Sequence, residues 1–149
     1  MDIQIRKVKE TDIESIHSLV RELAEYEKGL HKLTTTSESF LHDFRDKIFD
    51  AFVAETEGKV VGMALYFMAF STWRGRMLYL EDFVVRQTER GSGIGKLLFD
   101  AFLDEAKRQE VSLVKWQVLD WNEPAINFYK KYDVEFDDEW LDCKIYLKE

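Results

Sequence analysis

The run MLYLEDFVVRQTERGSGIGKLLFDAFLDEAK, residues 77–107, decides the fold. Met77 to Val85 is apolar and aromatic apart from Glu81 and Asp82, and reads as a strand. Ile94, Leu97, Leu98, Ala101, Phe102 and Ala106 then recur on one face of a long helix. Between them lies Arg90-Gly91-Ser92-Gly93-Ile94-Gly95. Glycine lets a backbone curl until consecutive N–H groups point into one concavity. The helix N-terminus adds partial positive charge, so the loop suits an anion, and a diphosphate above all. Arg90 and Lys96 flank it and can add charge-assisted bonds. A glycine-rich turn holding nothing is the bland alternative; three glycines in five positions at a helix start argue against it. The spacing is not G-x-x-x-x-G-K-[ST], which excludes a P-loop. It resembles a piece of G-x-G-x-x-G, but a dinucleotide loop follows the first strand of a parallel unit.

Here it follows the last strand of an antiparallel meander. Phe49 to Glu55 and Lys59 to Phe70 are strand-like, with Glu57-Gly58 as the hairpin turn between them and Ser71 to Gly75 as the next turn. Upstream, Ile3 to Val8 reads as a first strand. Thr11-Asp12-Ile13-Glu14 has the form of a capping box. Ile13, Ile16, Leu19, Val20 and Leu23 carry that helix to about Glu27, with Gly29 as its stop. Thr35 to Glu38 caps a second helix bearing Phe40, Leu41 and Phe44. Downstream, Leu113 to Val118 is a strand. Asn122-Glu123-Pro124 opens a helix lined by Ala125, Phe128, Tyr129 and Tyr132, and Cys143 to Leu147 reads as a last strand. Strand–helix–strand in the second half implies a parallel pair with a right-handed crossover. The expectation is one domain over residues 1–149, of α/β or α+β class, with a mixed central sheet flanked by helices.

Composition narrows the function. The chain has 149 residues, 46% hydrophobic and 34% charged, enough to fold without metal or disulfide. No apolar run approaches the length of a membrane span, and the N-terminus has no signal-peptide pattern. One cysteine, Cys143, forms no disulfide within the chain and fits a reducing, cytoplasmic setting. His17, His31 and His42 lack ligand spacing, so no metal is expected. Lys and Arg number 21 against 29 acids, a net charge of −8. That charge disfavours nucleic acid and draws small cations, although acidic surfaces also serve solubility alone.

Two further signals remain. Glu81 and Asp82 interrupt an apolar strand, and a buried carboxylate is costly unless paired. Trp121-Asn122-Glu123-Pro124-Ala125-Ile126-Asn127-Phe128-Tyr129 places a tyrosine at core spacing, where its hydroxyl needs a partner.

Together these segments resemble the GNAT superfamily of acetyl-CoA-dependent N-acetyltransferases, whose loop pattern is Arg/Gln-x-x-Gly-x-Gly/Ala and whose late segment is Asn-x-x-Ala…Phe-Tyr. Longer runs resemble the diamine acetyltransferase family: Glu22 to Glu27, Tyr79 to Phe83, and Trp121 to Lys130. Ser71-Thr72-Trp73, without the acid and proline of polyamine-preferring members, is similar to the thialysine N-ε-acetyltransferase branch. The superfamily's glycine four residues after the tyrosine is here Asp133, which tolerates a left-handed turn.

The resemblance implies a GNAT-like acyl-CoA N-acyltransferase fold, acetyl-CoA, no metal, a small cationic amine substrate, a homodimer, and neither nucleic-acid nor membrane partners. It implies that Arg90, Gly91, Ser92, Gly93, Ile94, Gly95 and Lys96 hold the diphosphate. Phe83, Val84 and Val85 would pair with the cofactor arm and, opened by a bulge, offer an N–H to an oxyanion. Asn122, Ala125 and Tyr129 complete the cofactor set. Glu81 is the expected base, acting through a water, and Tyr129 the acid for the leaving thiolate. Tyr26, Glu27, Trp73, Glu81 and Asp82 form the expected substrate set, with Tyr26 and Glu27 reaching a partner's site. A CoA-binding module that does no chemistry, and a protein or peptide N-acetyltransferase, are the alternatives.

Overall fold

The computed structural model describes residues 2–148. Five strands form one sheet in the order β1 (Gln4–Lys7), β2 (Asp50–Thr56), β3 (Lys59–Ser71), β4 (Gly75–Val85), β5 (Leu113–Trp116). The first three pairings are antiparallel and β4–β5 is parallel. A parallel pair needs a crossover, and helix α3 (Ile94–Arg108) supplies it. Helices α1 (Ile13–Tyr26) and α2 (Ser37–Arg45) join β1 to β2. The sheet is therefore mixed, as the sequence predicts. The backbone divides into two compact units. One runs to Gln117 and holds the whole sheet and α1–α3; the other begins at Val118 and holds α4 (Glu123–Tyr129) and the chain after it.

Strand alternation puts apolar side chains on both faces of the sheet in the first unit. Ala51, Val53, Met63, Leu65 and Val84 cluster with Ile13, Ile16 and Leu19 of α1, and Phe40, Leu41 and Phe44 of α2 pack against them. Ala54 and Val61 cluster with Ile94 and Leu98 of α3, joined by Ile5, Phe52, Phe83 and Val85. Gly62 lets α3 approach, because a Cβ there would stand 3.0 Å from Leu98 Cδ1 and 3.1 Å from the Val84 carbonyl oxygen.

Several expectations change in detail. Leu97 is exposed, and Phe99 takes its place in the α3 core, 5.6 Å from Phe83 and 5.3 Å from Trp116 between ring centroids. Thr11 is not the cap of α1. A 3₁₀ turn over Glu10–Asp12 precedes it, and the Asp12 carboxylate accepts from the Lys9 N–H while pairing with Arg6. The left-handed residue after α1 is Lys28, not Gly29, whose N–H closes on the Ala24 carbonyl. Lys47 and Glu110 end α2 and α3 in the same manner, whereas Asp133 has no left-handed φ. The expected strand at Cys143 to Leu147 does not form: the segment is irregular, with a bend at Leu147, and exposed, with no strand partner among the described residues. An alternating segment becomes a strand only against an edge that supplies its hydrogen bonds.

Candidate active site

The β3–β4 register decides where the acids point. Leu65 faces Asp82 and Tyr66 faces Leu80, so Glu81 is an extra residue, a β-bulge. The expected opening at Phe83 to Val85 is not a bulge; those residues keep regular register with Ala64, Met63 and Gly62. Instead the β4–β5 ladder stops at Leu80↔Trp116 while β4 continues to Val85. The sheet opens there because β5 is short.

The bulge leaves Glu81 exposed and turns Asp82 to the α1 face, the side of Leu65 and Val84. Burial pushes the Asp82 carboxyl up to about 7, helped by the charges of Glu81 and of Glu27 at the end of α1. Burial also raises Glu27. Three carboxylates therefore meet with no cation of their own to neutralise them among the interactions described for Asp82. Such a cluster is destabilised when fully ionised and attracts a cation. Glu27 acts on Asp82 within one chain.

The last turns of α1 also organise the chain after β4. The Gln87 N–H donates to Glu22 Oε1 at 3.3 Å, and Arg86 Nε stands 3.6 Å from Glu22 Oε2. The Arg90 guanidinium lies 5.3 Å from the Tyr26 ring centroid and donates through Nε to the Val85 carbonyl. Sequence reasoning assigned no role to Glu22 or Arg86, although Glu22 opens the family-like run that ends at Glu27.

The glycine loop has the backbone of an anion cradle. Gly91 and Gly93 have φ of 84° and 85°, which an L side chain rarely adopts, and no atom lies within 4 Å of an added Cβ at either. Gly93 caps α3, and the Leu97 N–H is the first to close on it. The N–H groups of Ile94, Gly95 and Lys96 cannot pair within the helix and point out of its N-terminus. These residues fit a diphosphate. The flanking side chains are engaged elsewhere: the Ser92 hydroxyl donates to the Glu89 carbonyl and Lys96 Nζ to Asp100, each at 2.6 Å.

Trp73 sits at the β3–β4 turn, 86% exposed. Gly75 and Glu81 lie six steps apart along β4, roughly 20 Å at the rise of a strand, so the turn bearing Trp73 lies well along β4 from the acids.

In the second unit Asn122 caps α4, its side chain accepting from the Ala125 N–H at 3.4 Å. Tyr129 ends that helix and is only 5% exposed. Its ring lies edge-on to Phe128, 5.7 Å away. Asn122, Ala125 and Tyr129 are thus assembled by one short helix. Among the described residues, His, Cys, Asp and Glu form no group of three able to hold a metal ion, and no helix is long and apolar enough to cross a membrane.

The sequence matches the Acetyltransferase (GNAT) family over residues 13–133. It is 36% identical to a thialysine N-epsilon-acetyltransferase of Mus musculus, covering 93% of this chain and 89% of the relative. It is 35% identical to an L-ornithine N5-acetyltransferase of Arabidopsis thaliana, over 67% of this chain and 41% of that one. Its fold is similar to that of a crystallised aminoglycoside acetyltransferase from an uncultured soil metagenomic sample, with a TM-score of 0.81 and 21% identity over 98% of this chain and 97% of the other.

Proposed function

The chain belongs to the GNAT acetyltransferase family and is an N-acetyltransferase, and from that premise we propose that it acetylates the terminal primary amine of a small cation with acetyl-CoA. The substrate class is a thialysine-like amino acid or a short di- or polyamine, and the amine attacks directly. The observation that carries this reading is the convergence of Glu27, Glu81 and Asp82 at the open end of β4, which leads into the glycine loop. The family match runs across Gln117, which supports a single catalytic domain over residues 1–149.

Acetyl-CoA supplies the activated acyl carbon and a thiol leaving group. The amides of Gly91 to Lys96 would hold its diphosphate, with the charge of Arg90 beside it and Lys96 adding its own on leaving Asp100. The backbone of Phe83, Val84 and Val85 would pair with the arm that leads to the thioester, and the family resemblance assigns Asn122 and Ala125 to the cofactor as well. The substrate arrives protonated, because a free alkylamine has a pKa near ~10.4. An ammonium has no lone pair, so the site must take a proton before attack. Glu81, exposed at the bulge, receives it through a water. Asp82, at about 7, takes and releases a proton near neutrality and holds the cation with Glu27. Tyr129 would give a proton to the departing sulfur. A phenol near ~10 and a thiol near ~8.5 make that step uphill by only ~2 kcal/mol.

The same reading makes the protein a cytoplasmic homodimer, in which Tyr26 and Trp73 serve substrate sites and neither nucleic acid nor membrane is a partner. Its test is an amine panel with acetyl-CoA, read as thiol release and by mass of the product. Thialysine and short diamines should turn over faster than spermidine. Release with no amine, or acetylation confined to peptide N-termini, would overturn it.

A further inference from the structure

The chain between β4 and the glycine loop is caught by the last turns of α1. A 3₁₀ turn over Gln87–Glu89 leads into the loop. The first N–H groups of such a turn have no partner within it, and Arg86, which precedes it, provides no side-chain cap. Glu22 of α1 supplies that cap from 65 positions earlier, its Oε1 accepting from the Gln87 N–H. Its Oε2 stands 3.6 Å from Arg86 Nε, an atom shielded from solvent and without a hydrogen-bond partner among the described residues. A buried cationic nitrogen is costly unless a charge faces it, and Glu22 provides that charge.

The turn passes this hold to the loop. The Arg86 carbonyl accepts from the Glu89 N–H at 2.8 Å and the Gln87 carbonyl from the Arg90 N–H at 3.3 Å. The Glu89 carbonyl accepts from the Ser92 hydroxyl. One helical turn beyond Glu22, on the same face of α1, the Tyr26 ring meets the Arg90 guanidinium. At Gly91 and Gly93 nothing comes within 4 Å of where a Cβ would stand. The place of the loop is therefore set where it enters, at the turn, and where it leaves, at α3.

We propose that Glu22 is a positioning residue for acetyl-CoA: by capping the Gln87–Glu89 turn from α1, it holds Gly91 to Lys96 in the geometry that receives the diphosphate. The inference rests on the cofactor reading above and names the residue that sets its cradle.

Calorimetric CoA binding and steady-state kinetics on wild type, Glu22→Ala and Glu22→Gln test this. Alanine removes the acceptor and the charge and suits a helix. It should weaken CoA binding and raise KM for acetyl-CoA by about tenfold, with kcat at saturating cofactor changing far less. Glutamine keeps an acceptor for the Gln87 N–H and should restore most of that loss, to within about threefold of wild type. Three results would overturn positioning while leaving the acetyltransferase reading standing: Glu22→Ala that lowers only the melting temperature, a loss confined to kcat, or glutamine no better than alanine. A wild type that binds no CoA would overturn both. Should Glu22→Ala not fold, hydrogen exchange on the wild type decides. The Gln87 amide should be protected, and CoA should slow its exchange further. Exchange there at the open-chain rate contradicts the proposal.

Discussion

Replacing Asp82 by asparagine should remove a pH dependence of stability that the folded chain carries. The carboxyl titrates at 3.8 when unfolded and at about 7 when folded, because burial and the charges of Glu81 and Glu27 disfavour its ionised form. Between those values the folded chain keeps a proton that the unfolded chain has released. Its contribution is therefore fully present below the unfolded value and is lost as pH rises through about 7. A shift of roughly three units at ~1.36 kcal/mol each sets an upper bound of ~4 kcal/mol. The side chain is half-buried, and solvent screening lowers the effect to on the order of 1–2 kcal/mol. Urea unfolding of both proteins, followed by tryptophan fluorescence at about pH 5 and about pH 8.5, isolates the difference, since all other titrations are shared. The wild type should lose ~1–2 kcal/mol relative to Asp82→Asn on going from acid to alkali. Parallel behaviour of the two proteins across that range would refute the assignment of a strained carboxylate.

Tyr129→Phe should lower kcat by about 10²-fold or more while sparing acetyl-CoA affinity, seen by steady-state rates beside calorimetry; unchanged turnover removes Tyr129 from proton transfer. Glu81→Gln should raise KM for the amine and flatten the rise of rate with pH, and a wild-type profile would leave Glu81 structural. Gly93→Ala, forced to a φ of 85°, should cost ~1 kcal/mol of stability and weaken CoA binding, both read by thermal unfolding with and without CoA. Glu110→Gly should do the reverse, adding ~0.5–1 kcal/mol in urea by relieving the left-handed φ of 57° after α3.

Much of the framework was legible because its signals are periodic. Ile13, Ile16 and Leu19 mark α1, Thr36 caps α2 through the Ser39 N–H, and Glu57-Gly58 makes the β2–β3 turn. Left-handed caps on Lys28, Lys47 and Glu110 were not legible, since nothing in a charged residue announces a positive φ. Phe99 displaced Leu97 because spacing places both near the α3 stripe and only packing against Phe83 and Trp116 chooses between them. The bulge at Glu81 is a property of the pairing with β3, so one strand read alone misses it. That pairing decides which acid turns under α1. The meeting of Glu27 with Asp82 joins residues 55 positions apart, and only the family-like runs pointed to both. The strand expected at Cys143 to Leu147 does not form, because a sequence pattern shows a need for an edge without supplying the hydrogen-bonding partner.

Titration of the protein with CoA, followed through its assigned backbone amide resonances, tests the account most directly. The signals of Gly91 to Lys96, which frame the cradle, and of Phe83 to Val85 should move together to saturation, with Gly93→Ala weakening the response. Saturable binding that moves amides elsewhere while these stay still, or no binding at all, would contradict it.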